Sequence, residues 1–164
     1  MTTRTLGRPS HDTDFPAWAF DQACRLRELA RSRSNEPIDW ELLADEVEDI
    51  GRNEQRAAEA FLRLALVHLL KLEFARDASP RQHWRKELHA FRSNFRHRTT
   101  PSVAARLERE LDAVYDVARA EAIAAEWQDP ELEDRLPRSC PYRFEQVTGE
   151  WLPGRADDAD APSA

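Results

Sequence analysis

Apolar side chains recur every three or four residues along most of this chain, the spacing of amphipathic helices. Phe15, Trp18, Ala19, Ala23, Leu26, Leu29 and Ala30 mark a first helix, with Thr13 or Asp14 as its cap and Pro16 in its first turn. The polar stretch Ser32 to Pro37 ends it. Asp39 caps a second helix predicted to run to about Asp77 with no proline inside. At about 100° per residue, Trp40, Leu43, Val47, Gly51, Ala58, Phe61, Ala65, Leu69 and Leu72 share one of its faces. Such a helix would be on the order of 55 Å long, unless Gly51 kinks it.

Ser79-Pro80-Arg81-Gln82 predicts a capping box at the start of a third helix, whose seam is Trp84, Leu88, Phe91 and Phe95. Thr100-Pro101 starts a fourth, which turns Ala104, Leu107, Leu111, Val114, Ala118, Ala122 and Ala125 inward until Asp129-Pro130 breaks it. A short helical turn, the Leu136-Pro137 break, a short helix near Phe144 to Val147 and the anchor Trp151-Leu152-Pro153 follow. The predicted fold is all-α: an elongated helical bundle with one long central helix, two shorter helices packed on its halves, a fourth long helix and short C-terminal helical turns. A single domain is expected over 12–153, between a flexible N-terminus (1–11) and a disordered tail (154–164).

Composition supports this picture. With 41% hydrophobic and 34% charged residues in 164, and only 4 glycines, the chain has enough apolar surface for a core and favours helix over turn-rich sheet. Charge helps to orient the helices. Asp39 to Glu54 carries seven acidic side chains against Arg52, and the first helix supplies Arg25, Arg27, Arg31 and Arg33 toward that end. A net charge of −7 argues against a polyanion-binding surface over the whole molecule. Met1 to His11 has no apolar signal core, and Phe61 to Leu72 is broken by Arg63, His68 and Lys71, so neither secretion nor membrane insertion is expected. Cys24 and Cys140 lack metal-finger spacing and are expected as reduced thiols in the cytoplasm.

Taken in order, a set of landmarks resembles the bacterial domain of unknown function 29. They are Asp12, Asp14, Phe15, Trp18 and Gln22; Asp39-Trp40 with Leu43, Ala44, Glu46 and Glu48; Gly51-Arg52 with Glu54 and Arg56; and His68-Leu69-Leu70-Lys71. Trp84, Arg92, Tyr115, Ala118-Arg119, Pro137 and Cys140-Pro141-Tyr142 complete the set. Leu72 and Phe74 depart from the family's usual Trp and Tyr, and Asn53-Glu54-Gln55-Arg56 replaces a more basic Ser-Glu-Arg-Arg. The resemblance spans about Asp12 to Pro153. It implies an all-helical bacterial protein and brings no activity with it.

Candidate chemistry begins with Glu54, which by helical phase lies in the apolar stripe between Gly51 and Ala58. A buried carboxylate needs a partner, for which Arg92 and Arg119 are candidates. His68, on the edge of the same stripe, is expected as a satisfied core histidine. Asp45, Glu46, Glu48 and Asp49 wrap around the helix, so only some could meet at one cation. His83 and Glu87, four apart, make a single weak pair, and the helix-bundle pairings Glu-x-x-His and His-x-x-x-His are missing, so no metal or cofactor is expected. The third helix is locally basic, with Arg81, Arg85, Lys86, Arg92, Arg96 and Arg98, although its aromatics follow the core seam. No phosphate loop, nucleophile elbow or Cys-His arrangement occurs.

What remains is a helical binding or scaffold module with a protein partner or a second copy of itself. The motive is the second helix between Leu64 and Leu70, where Leu64, Leu66, Val67 and Leu70 lie off the main stripe and need cover. An enzyme or metal-binding protein around Glu54, and a nucleic-acid-binding regulator using the helix at 80–98, are the alternatives.

Overall fold

The computed structural model describes residues 8–32, 37–77, 79–126 and 128–154. The expected flexible N-terminus and disordered tail fall mostly on 1–7 and 155–164, and most of the expected polar loop, with Arg33, falls on 33–36; these lie outside the described residues. Every regular element among the described residues is helical: α1 (Phe15–Ser32), α2 (Trp40–Phe74), α3 (Arg81–Arg98), α4 (Pro101–Arg109), α5 (Leu111–Ala125), α6 (Leu132–Arg135) and α7 (Phe144–Thr148). They form two compact units. One holds the described residues up to Ala57 with Arg98–Arg106, the other Ala58–His97 and the described residues from Leu107 onward.

In the first unit α1 lies antiparallel on the start of α2. Arg27 donates to Asp45 at 2.7 Å, while the approach of Gly51 to Ala19 joins residues further along α2 to residues earlier in α1. A Cβ on Gly51 would stand 3.0 Å from the Ala19 Cβ and 3.4 Å from the Pro16 carbonyl oxygen, so this close crossing requires glycine's missing side chain. Asp39 caps α2, accepting from the Leu42 N–H at 3.0 Å. Asp14 does more. Its carboxylate accepts from the Ala17 N–H at 3.3 Å in α1, and from the Ser102 N–H (2.9 Å), the Ser102 hydroxyl (2.8 Å) and the Thr100 hydroxyl (2.9 Å) at the start of α4. One carboxylate thus satisfies donors at two helix N-termini. Partial burial pushes its pKa up, but the bonds from Ser102, Thr100 and Ala17 outweigh burial and hold the carboxyl below its ordinary range.

In the second unit the later part of α2 packs with α3, α5 and the C-terminal segment. His68 to Glu87 and the Leu72 carbonyl to Arg81 set α3 antiparallel to α2, whereas Arg63 to Glu121 and Lys71 to Glu126 set α5 parallel to it. Leu62, Leu66, Leu69, Leu70 and Leu72 are buried with Leu88, Tyr115 and Leu132. Leu66, Val67 and Leu70, which lie off the main stripe, are therefore covered by this chain's own packing.

The ends of α2 and α4 differ from the sequence-based expectation. α2 stops at Phe74, where Arg81 donates to the Leu72 carbonyl (2.7 Å) and Arg135 to that of Phe74 (3.1 Å). Distant arginines satisfy orphan carbonyls that no local pattern announces. The Ser79 hydroxyl donates to Asp77 at 3.1 Å. The expected fourth helix is two helices, interrupted at Glu110, where φ of −98° and ψ of 11° leave the helical region although no proline or glycine is present. No helix among the described residues is long and apolar enough to cross a membrane.

Candidate functional site

Glu54 is not buried. Its side chain is 43% exposed and lies 3.7 Å from Arg98, while the expected partners Arg92 and Arg119 donate to backbone carbonyls instead. The reason is angular: α1 meets α2 along Ala44 and Gly51, and Glu54 stands about 60° around the helix from Gly51. An arginine from another helix does face it, at the edge of the packed face.

His68 is buried, with Nδ1 2.9 Å from the Leu64 carbonyl oxygen and Nε2 2.8 Å from Glu87 Oε2. His83 Nε2 approaches the same carboxylate oxygen at 3.3 Å, and the Phe91 ring meets His68 edge-on at 5.1 Å. Glu87, read from sequence as half of a surface pair, is thus the partner of a core histidine.

Among the described residues Arg92 is the most buried charged side chain, and it holds backbone. Its Nε donates to the Val147 carbonyl (2.8 Å), and its Nη2 to those of Gln146 and Trp151 (2.7 Å each), tying the end of α7 to α3. Burial lowers its pKa, opposed by the charge of Glu150. Arg119 is half-buried and donates to the Glu133 carbonyl at 2.9 Å. Tyr115 donates to the Pro137 carbonyl (2.6 Å) and Tyr142 to Glu73 (2.7 Å); burial pushes the Tyr115 hydroxyl up to about 12 and that of Tyr142 higher still. Cys24 and Cys140 are free thiols, and burial pushes that of Cys140 up, away from reactivity. These contacts hold the C-terminal segment in place.

The acidic cluster does not converge on a shared centre. Asp45 and Glu48 pair with Arg27 at 2.7 Å each, Glu48 and Asp49 also pair with Arg52, and Glu46 stands exposed. Among the described residues no three His, Cys, Asp or Glu side chains form a group able to hold a metal. The basic set on α3 is similarly engaged: Arg81 and Arg92 hold carbonyls, Arg96 pairs with Glu150 at 2.7 Å and Arg98 faces Glu54. Arg85 and Lys86 are left exposed, a small footprint for tracking phosphates.

The surface that stands out lies in the first unit and was misplaced by sequence pattern. Leu43, expected in the buried stripe, is 42% exposed, and Ile50 is 51% exposed. Leu42, Ile38 and Leu29 are exposed as well. Because Ala44 and Gly51 let α1 come close, the packed line runs through them and leaves Leu43 and Ile50 about 100° away. Arg27 and its acids occupy one flank of the α1–α2 pair. Leu43 and Ile50 occupy the other, as do Leu26 and Leu29, which line a groove with Gln22, Arg25, Glu28 and Ser32. Leu43 and Ile50 are seven apart, within about 20° of each other in phase, a spacing that could have marked them as a separate stripe.

Residues 10–152 match the family model for the domain of unknown function DUF29. A solved structure, an alpha-helical protein of unknown function from Rhodospirillum rubrum, is similar with a TM-score of 0.75 and 28% sequence identity, over 87% of this chain and 90% of that one. None of the curated proteins compared matches.

Proposed function

The chain belongs to the DUF29 family, and we propose that it is a helical binding module whose α1–α2 pair receives a protein partner. The observation that carries this is the exposure of Leu43 and Ile50 on one flank of the α1–α2 pair beside Leu29, with Leu42 further round on the outward side of α2 and Ile38 exposed just before it, all within one compact unit. Isolated exposed leucines are ordinary; a group on one flank of a helix pair is the mark of an interaction surface. Most of the acids and cations that would serve an enzyme or a nucleic-acid reader are engaged in ion pairs and helix ends, Glu46, Arg85 and Lys86 excepted. The partner therefore meets a surface, not a catalytic centre.

A photo-crosslinking side chain at position 50, compared with one at the equally exposed Val117 of the second unit, tests this in the native host. A discrete protein adduct at position 50 and none at 117 is the expected result. No adduct at 50, or the same set at both positions, would overturn it.

A further inference from the structure

Resting on that docking reading, we infer that the partner offers a basic amphipathic helix, and that it is a different protein rather than a second copy of this chain. Charge decides between the two. Glu46 falls in helical phase between Leu42 and Ile50, in the middle of the exposed stripe, with Asp39 and Asp49 on its borders. Among the described residues Glu46 has no ion-pair partner. Of the arginines toward this stretch of α2, Arg25 is held by Asp21, Arg27 by Asp45 and Glu48, and Arg52 by Glu48 and Asp49, while Arg31 stands exposed in the last turn of α1. The face therefore carries apolar side chains on either side of a central carboxylate, with further acids at its borders.

A second copy would use the same patch against itself, because a two-fold interface is self-complementary. It would crowd two copies of Glu46 and its acidic neighbours Asp39 and Asp49 into one interface as the apolar residues closed, and like charges brought together across an interface are penalised. An anionic lipid surface meets the same objection. A helix with leucine-type anchors at i, i+3 or i+4 and i+7, flanked by lysine or arginine, satisfies both features at once. From Ile38 to Ile50 the exposed stripe is about 18 Å long, enough for two to three helical turns of such a partner.

Two synthetic helical peptides with one shared leucine stripe, one flanked by lysines and the other by glutamates, are titrated into the full chain by fluorescence anisotropy at low and high salt. The lysine-flanked peptide should bind about tenfold or more tighter, weaken as salt rises, lose binding to Ile50→Asp and lose its advantage with Glu46→Lys. Equal binding of the two peptides would overturn the inference while leaving the docking reading intact. So would a species of twice the chain mass in sedimentation that Ile50→Asp disperses, since the occupant would then be a second copy. If neither peptide binds, the inference falls, and the adducts at position 50 decide separately whether the docking reading falls with it.

Discussion

Glu87 Oε2 lies 2.8 Å from His68 Nε2, and the other ring nitrogen of His68 meets the Leu64 carbonyl oxygen at 2.9 Å. This pair joins α2 to α3 beside the Phe91 ring, which meets His68 edge-on at 5.1 Å. A double-mutant cycle with His68→Ala and Glu87→Ala should give a coupling on the order of 1 kcal/mol, because the carboxylate is partly exposed. Additive effects would mean the bond contributes nothing.

The helical class, the order of elements and the caps at Asp14 and Asp39 were legible in the sequence because each depends on residues within one turn of its effect. The second role of Asp14, at the start of α4, was not, since it depends on residues 86 and 88 positions away. Glu54 was misjudged for a related reason. Helical phase alone centres a stripe on its bulky residues, whereas Ala44 and Gly51 drew α1 about 60° past Glu54. Half-exposed beside Arg98, Glu54 replaced by alanine should cost at most about 1 kcal/mol. His68 and Arg92 were recognised as core polar groups, but their partners, Glu87 and three backbone carbonyls, come from tertiary contacts that no spacing encodes.

Asp14→Ala should destabilise the protein by about 1–2 kcal/mol at neutral pH, the cost of a lost N-cap. The folded-state pKa of Asp14 lies below its unfolded value, so its contribution is complete above the usual carboxylate pKa and is lost as pH falls through the folded one. Denaturation of wild type and variant across pH should therefore show a gap that is constant near neutrality and closes in acid. A gap that persists at low pH would show that the side chain acts through packing.

At the α1–α2 crossing, any side chain on Gly51 must displace Ala19. Gly51→Val should cost about 1–3 kcal/mol by overpacking, despite replacing glycine inside a helix. Chemical denaturation measures it. Unchanged stability would mean the helices are not in close contact there.

Arg92→Met keeps the apolar stem of the side chain but leaves three carbonyls without their donor. A loss of about 3 kcal/mol or more is expected, with faster proteolysis confined to the C-terminal segment. Arg92→Lys should recover only part of it, since one ammonium cannot reproduce the fork of a guanidinium. Full rescue by lysine would show that charge alone holds the segment.

The thermal stability of Leu43→Asp/Ile50→Asp, measured beside Leu66→Asp, tests most directly whether the α1–α2 face exists for a partner. Leu43 and Ile50 are open to solvent, while Leu66 is fully buried. The double variant should unfold within about 0.5 kcal/mol of wild type per substitution, as surface changes do, while Leu66→Asp collapses the fold. A loss of stability in the double variant approaching that of Leu66→Asp would contradict the account, because the face would then belong to the folded chain itself.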